Sequence, residues 1–293
     1  MEWHPRWSAC KITTLFSFLT ISAMNKLILN RLATQGLSGL SVVDEEEVNL
    51  VRKNVLPYIV DENGLPRIVD HVDLLSRFSL RDVKICMQIS GIYVLPTIEL
   101  MEDLRKLIPD LTKTIEIGSG NGIIAKELGI KATDNYMQHP DFRVEKHNKV
   151  LMEELQNSGN QLVRYGSNVL RVDGNEAVKR FKPKTALACF VTHKYSKSKP
   201  EKGGNFKGVD FEKLVRKVNR LVFVGNDETH KHHTLLEMPM LTIRSDGLIT
   251  RSDDQSKNGI FIFDKVLFET DMSGENLSFD EIINRLNLQH IKS

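Results

Sequence analysis

Residues Thr114 to Gly122 read TIEIGSGNG, an apolar run with an acid, Glu116, near its end and then Gly118, Gly120 and Gly122 alternating ahead of the helix-forming run IIAKELG. Glycines so spaced let a turn close tightly and bring backbone N–H groups against a ligand, while the following helix amino terminus favours a polar or anionic group. By itself the turn is weak evidence, because glycine-rich turns also arise for packing. Sixteen residues after Gly118 stands Asp134, closing the run ATD. That is near the spacing at which a doubly wound sheet offers a carboxylate to ribose hydroxyls; helix capping is the competing reading of Asp134. A second group, GNDETHKHH from Gly225, gathers Asp227, Glu228, His230, His232 and His233. Its spacing matches no metal-ligand pattern, so no metal is expected there; Asp227 or Thr229 is read as capping a following helix, with the histidines lining a substrate mouth.

These residues need elements to hold them. From Asp44 to about Ile108, apolar residues return every three or four positions, which predicts an all-helical lead-in broken at Asn63-Gly64, Pro66, Gly91 and Pro96-Thr97. Thr97 is a plausible N-cap, with Glu99 favoured in the first turn by the helix dipole. After Pro109 short β-branched runs alternate with helical stretches, the pattern of a parallel sheet flanked by helices. Strands are expected near Thr114 to Gly118, Lys131 to Asp134, Val169 to Val172, Thr185 to Thr192, Arg220 to Gly225, Met240 to Ile243 and Ile260 to Leu267, and a short terminal helix from Phe279 to Gln289. The fold class is therefore α/β, a Rossmann-like, seven-stranded and mostly parallel sheet with a helical amino-terminal region. Three divisions follow: 1–24, a signal-like or spurious extension; 25–108, a helical lid or platform; 109–293, the catalytic domain.

With those pieces in order, the chain from about Val94 to Asp264 resembles the class I S-adenosylmethionine-dependent methyltransferases. In that family an E/D-x-G-x-G-x-G strand-turn holds the methionine part of the cofactor, and IEIGSGNG from Ile115 to Gly122 is similar to it. The resemblance assigns cofactor contacts to Glu116, Gly118, Gly120 and Gly122. It assigns the ribose to Asp134 in KATDNY and the adenine amino group to Asp173 in VLRVDGNEAV. The fourth motif, beside the transferred methyl, looks like ALACFVTHKY from Ala186 to Tyr195. Methyl transfer from a sulfonium is an in-line displacement, so alignment matters most and a base is optional. His193 and Tyr195, just past the fourth strand, are the candidates for acceptor-side catalytic residues, against the bland reading of a hydrogen-bonded loop histidine. The fourth strand lacks the Asn/Asp-Pro-Pro-Tyr/Phe signature of amino-group nucleic-acid methyltransferases. Cys189 lacks the preceding proline of the cytosine-C5 enzymes and reads as core packing.

Composition sets bounds on partners. Lys and Arg number 40 against 38 Asp and Glu, for a net charge of +2, which excludes a nucleic-acid or membrane coat over the whole surface. A local excess exists: Lys182 to Arg220 holds eleven basic residues against three acidic ones. That stretch points to an anionic acceptor or nucleic acid, or else to a solvated loop. Cys10, Cys86 and Cys189 are odd in number and far apart, against a disulfide framework or zinc module. The apolar run Ile12 to Met24 is too short to span a bilayer. A secretory signal has this layout, as does an extension ahead of a true start at Met24. The second is favoured because the implied cofactor is found inside cells, and it predicts a cytoplasmic protein with no membrane partner. Two rival functions stay open: a nucleic-acid-binding module that kept the fold without catalysis, and a nicotinamide-dependent oxidoreductase. For the latter, the last glycine of GxGxxG would fall on Ile123.

Overall fold

The computed structural model describes residues 45–139 and 161–265 and, near the carboxyl terminus, residues 280, 281, 283, 284 and 287. The expected extension at 1–24 lies outside the described residues. All described residues belong to one compact unit, Val42–Ser293.

Among the described residues five helices precede the first strand: α1 (Glu45–Asn54), α2 (Leu56–Ile59), α3 (His71–Arg77), α4 (Leu80–Ile89) and α5 (Ile98–Leu107). Their starts follow side-chain capping chemistry. Asp70, Ser79 and Thr97 cap α3, α4 and α5, each accepting the N–H three residues ahead. Thr97 does more, since its hydroxyl also donates to the Gly247 carbonyl at 2.7 Å. That bond, the Leu95 N–H to Ile249 carbonyl bond and the Val94–Thr250 bridge dock the helical region on the connection leading to the last strand.

Seven strands follow: β1 (Thr114–Ile117), β2 (Lys131–Asp134), β3 (Val169–Arg171), β4 (Thr185–Cys189), β5 (Arg220–Asn226), β6 (Leu241–Ile243) and β7 (Asn258–Asp264). They form one sheet in the order β3-β2-β1-β4-β5-β7-β6. β1 through β5 pair in parallel; β7 runs antiparallel to both β5 and β6. Helices α6 (Ile123–Leu128), α7 (Gly174–Phe181) and α8 (Phe211–Val215) fill the connections.

Side-chain alternation along the strands sends residues to two cores. Ile115, Ile117, Ala186, Ala188, Leu221, Phe223, Phe261 and Phe263 meet α7 and α8 on one face. Leu187, Val222, Val224, Ile260 and Ile262 meet α5 and α6 on the other. Burial on both sides explains why these strands read as nearly unbroken apolar runs. One polar tie crosses the core: fully buried Arg220 bonds Asp264 at 2.6 Å and the Leu107 carbonyl at 2.7 Å, joining β5, β7 and the end of α5. A guanidinium buried without such partners would cost several kcal/mol.

All seven expected strands are present. β4 is shorter than its apolar run suggests, because Phe190 adopts a φ of 56° and turns the chain away. No α-helix follows β5. Instead Asn226 accepts the N–H groups of Glu228 and Thr229, and a short 3-10 turn, Thr234–Glu237, is capped by His233. Asp227 and Thr229 therefore cap nothing. Of the expected terminal helix only five residues are described, and all five are helical.

Candidate functional site

The strand order reverses between β1 and β4, and open α/β sheets bind ligands outside the carboxyl ends of the strands at such a point. A cleft opens there. Its floor is Glu116, Gly118, Ser119 and Gly120 after β1, Asp134 and Asn135 at the end of β2, and Cys189 to Thr192 after β4. Tyr93, Gln138, Tyr165 and Lys207 belong to its walls.

The three glycines have different duties. All have positive φ, 60°, 54° and 72° for Gly118, Gly120 and Gly122. A Cβ on Gly118 would lie 2.7 Å from Val191, and one on Gly122 would lie 2.5 Å from Val169, so both positions are closed by packing. Gly118 and Gly120 both line the cleft, but only at Gly120 would an added Cβ find room, its nearest neighbour being Val163 at 3.3 Å. Gly122 opens α6 and lies outside the cleft lining.

Asp134 turns toward the glycine turn. It accepts the Gly120 N–H at 3.0 Å and the Tyr136 N–H at 2.7 Å. Burial raises its pKa against the pull of these donors. A carboxylate has about four lone-pair sites, so acceptor capacity toward the cleft is left over. Glu116 sits deeper, fully buried, and accepts the Ala125 N–H in the first turn of α6 at 3.1 Å. Burial pushes its carboxyl up to about 8, with the Asp134 charge adding to the rise. Cys189 shares this wall, and burial beside Glu116 holds its thiol well above the ordinary range, so it is no ready nucleophile.

The cleft's far wall was not legible from motifs. Tyr165 stacks on Tyr136 with ring centroids 4.1 Å apart and planes 9° from parallel. Gln138 bridges the walls: its amide donates to the Tyr93 hydroxyl at 3.2 Å, and its carbonyl accepts the Val163 N–H at 3.1 Å. Tyr93 lies in the lining with the Arg251 guanidinium 4.5 Å from its ring centroid.

The other expected site residues stand elsewhere. Asp173 is exposed, outside the lining, and caps α7 by accepting the Asn175 and Glu176 N–H groups. His193 and Tyr195 stand outside the cleft lining, which takes Cys189 to Thr192 from this stretch. His193 bonds the Lys202 carbonyl at 3.1 Å through Nε2, which must carry the hydrogen because a carbonyl only accepts. Its ring lies 4.5 Å from that of His233. His230 and His233 are buried among Phe190, Phe211 and Phe223, so they line no substrate mouth. Burial drives His230 down to about 4 and His233 well below its ordinary value. Among the described residues no cluster of His, Cys, Asp and Glu could hold a metal ion, and no helix is long and apolar enough to cross a membrane.

The basic segment 182–220 is not one patch. Lys182, Lys184 and Lys217 border a depression with Lys179 at the amino ends of β4 and β5, across the sheet from the cleft. Arg220 is buried. Only the part from Lys194 to Lys207 adjoins the cleft. No family model matches the chain and no curated protein matches it in sequence.

Proposed function

We propose that the chain is an S-adenosylmethionine-dependent methyltransferase of the class I, Rossmann-like kind, with the helical region 45–107 forming one wall of its cofactor cleft. The observation that carries this reading is the meeting of Glu116, the Gly120 turn and Asp134 in one cleft at the strand-order switch, with Asp134 bonded to Gly120 itself. The dinucleotide-binding plan has an all-parallel order 3-2-1-4-5-6. The reversed β7 between β5 and β6 departs from that plan, which favours the sulfur nucleoside over a nicotinamide.

The residues present suit such a ligand. Gly120 leaves room for the close approach of a backbone N–H, the buried Ser119 hydroxyl has no hydrogen-bond partner among the described residues, and Asp134 can accept from sugar hydroxyls. Bound, the sulfonium supplies an already activated methyl group, so the protein's work is alignment and exclusion of water. Glu116 presents a carboxyl held neutral by burial; a cationic group beside it would favour the ionised form and release its proton. Of the groups lining the cleft, Tyr93 and Glu116 are better placed than His193 and Tyr195 to exchange a proton with an acceptor.

Calorimetric titration tests the proposal. S-Adenosylmethionine and S-adenosylhomocysteine should both bind, NAD should not, and Asp134→Ala should weaken the sulfur nucleosides by about 1–3 kcal/mol through lost hydrogen bonds to buried hydroxyls. Binding of NAD alone sinks the reading; unchanged affinity in Asp134→Ala removes Asp134 from the site.

A further inference from the structure

The loop after β4 is built rather than loose. Its two limbs pair through bridges His193–Val209 and Lys194–Asn205, with Lys194 N–H to Val209 carbonyl and Tyr195 N–H to Asn205 carbonyl bonds of 2.8 and 2.9 Å. Gly208 allows the limbs to meet, since a Cβ there would fall 2.2 Å from the His193 carbonyl oxygen. Asn135, at the end of β2, donates to the Lys207 carbonyl at 2.9 Å and pins the flap over the cleft rim. At its outer surface Phe206 is 62% exposed and lies 4.8 Å from the Tyr195 ring. The flap carries five lysines, at 194, 197, 199, 202 and 207. Lys199 and Lys202 are neutralised by Glu212 and Glu237, whereas Lys197 and Lys207 take part in no ion pair among the described residues, and Lys194 acts on Asp210 only from a distance.

We infer that this flap is a docking platform for single-stranded nucleic acid, with Phe206 and Tyr195 offering a face for base stacking and Lys194, Lys197 and Lys207 tracking the phosphates. Every base has a π-face, so exposed aromatics among cations bind single strands with little sequence preference. Duplex is disfavoured because its bases are already stacked, and an acidic protein segment would leave Phe206 without a planar partner. The depression at the opposite edge has lysines too, but no aromatic residue lines it. The placement at the cleft rim ties the platform to the methyl-transfer reading, in which the strand carries the acceptor.

The test is fluorescence anisotropy of labelled DNA and RNA single strands of about 12 nucleotides, with the full chain, between about 50 and 200 mM salt. Phe206→Ala should weaken binding about 5-fold or more, the loss of one stacked base. Lys197→Glu should weaken it at low salt and flatten the salt dependence by a slope of about 1. The paired change Lys182→Glu and Lys217→Glu, at the opposite edge, should leave affinity within about 2-fold, because those lysines face away from the track. Absence of binding overturns the inference, as does equal weakening from both edges or equal competition by an acidic peptide. Calorimetry with S-adenosylhomocysteine on the same proteins separates the two ideas. Nucleoside binding without oligonucleotide binding refutes the platform alone, and the reverse result refutes methyl transfer alone.

Discussion

Two clusters of buried ionisable groups lie under the carboxyl edge of the sheet, and they are opposites. Glu116 and Asp134 line the cleft, so their burial is one that a ligand can reach. His230 and His233 are sealed behind β4 by Phe190, Phe211 and Phe223. Both clusters are held toward their neutral forms by desolvation. The difference teaches that nearness to the ligand-binding edge does not make a residue functional. What decides is which face of the strand end it leaves from and whether anything packs over it.

The largest expected effect separates the clusters by pH. Glu116 has a folded-state pKa of about 8 against an ordinary 4.5, so its protonated form is favoured by folding. Its contribution is complete below pH 4.5 and is lost as pH rises toward 8, a swing on the order of 5 kcal/mol. Glu116→Gln, which cannot ionise, should flatten that alkaline limb in urea unfolding measured from pH 5 to 9. A limb of equal slope in the variant would show that another group carries the loss. A saturating cationic ligand should also flatten it in the wild type, because the cation compensates the carboxylate.

The histidine cluster should behave the other way. His230, lowered to about 4 from 6.5, is neutral when folded and takes up a proton on unfolding below its ordinary pKa. Stability is full above pH 6.5 and falls as pH drops toward 4, by on the order of 3 kcal/mol from His230 alone, with His233 adding in the same direction. His230→Phe should lessen the acid dependence, and no nucleoside should restore it, since neither His230 nor His233 lines the cleft. Ligand rescue of the acid limb would mean that the two clusters communicate and that the contrast between them is false.

Much of this geometry could be read from the chain. Strands β1, β4, β5 and β7 follow from runs buried on both faces, and the Gly118–Asp134 spacing follows because strand, turn, helix and strand are each short and fully specified by their residues. The wall carrying Gln138 and Tyr165 was invisible for the opposite reason. The Gln138 amide bonds Tyr93 and Val163 across 45 and 25 residues and the Tyr165 hydroxyl accepts the Gln138 N–H across 27, and no local pattern marks a side chain whose partners are so distant. His193 and Tyr195 misled for a subtler reason. The apolar run ALACFV promised a strand reaching Thr192, but the positive φ of Phe190 ends β4 at Cys189, and the lining keeps Phe190 to Thr192 while His193 and Tyr195 fall outside it. Asp173 looked like a ligand acid through the family resemblance of VLRVDGNEAV, yet it also precedes a helix, and the free N–H groups of α7 claimed it.

The smallest effect sharpens the comparison within the cleft itself, between a glycine needed for packing and one needed for a ligand. Both Gly118 and Gly120 have positive φ, so alanine at either should cost about 1–2 kcal/mol of backbone strain. At Gly118 the new methyl also meets Val191 at 2.7 Å, adding an overpacking cost of about 1 kcal/mol or more. At Gly120 the methyl meets only Val163 at 3.3 Å, which a small side-chain shift relieves, and both residues line the cleft. Gly118→Ala should therefore be the less stable protein in urea unfolding by about 1–2 kcal/mol, whereas Gly120→Ala should keep more stability and lose more affinity for S-adenosylhomocysteine. Should Gly120→Ala bind the nucleoside as well as the wild type, the ligand does not touch the turn. The glycines would then be there for the tight passage from β1 into α6 and nothing more.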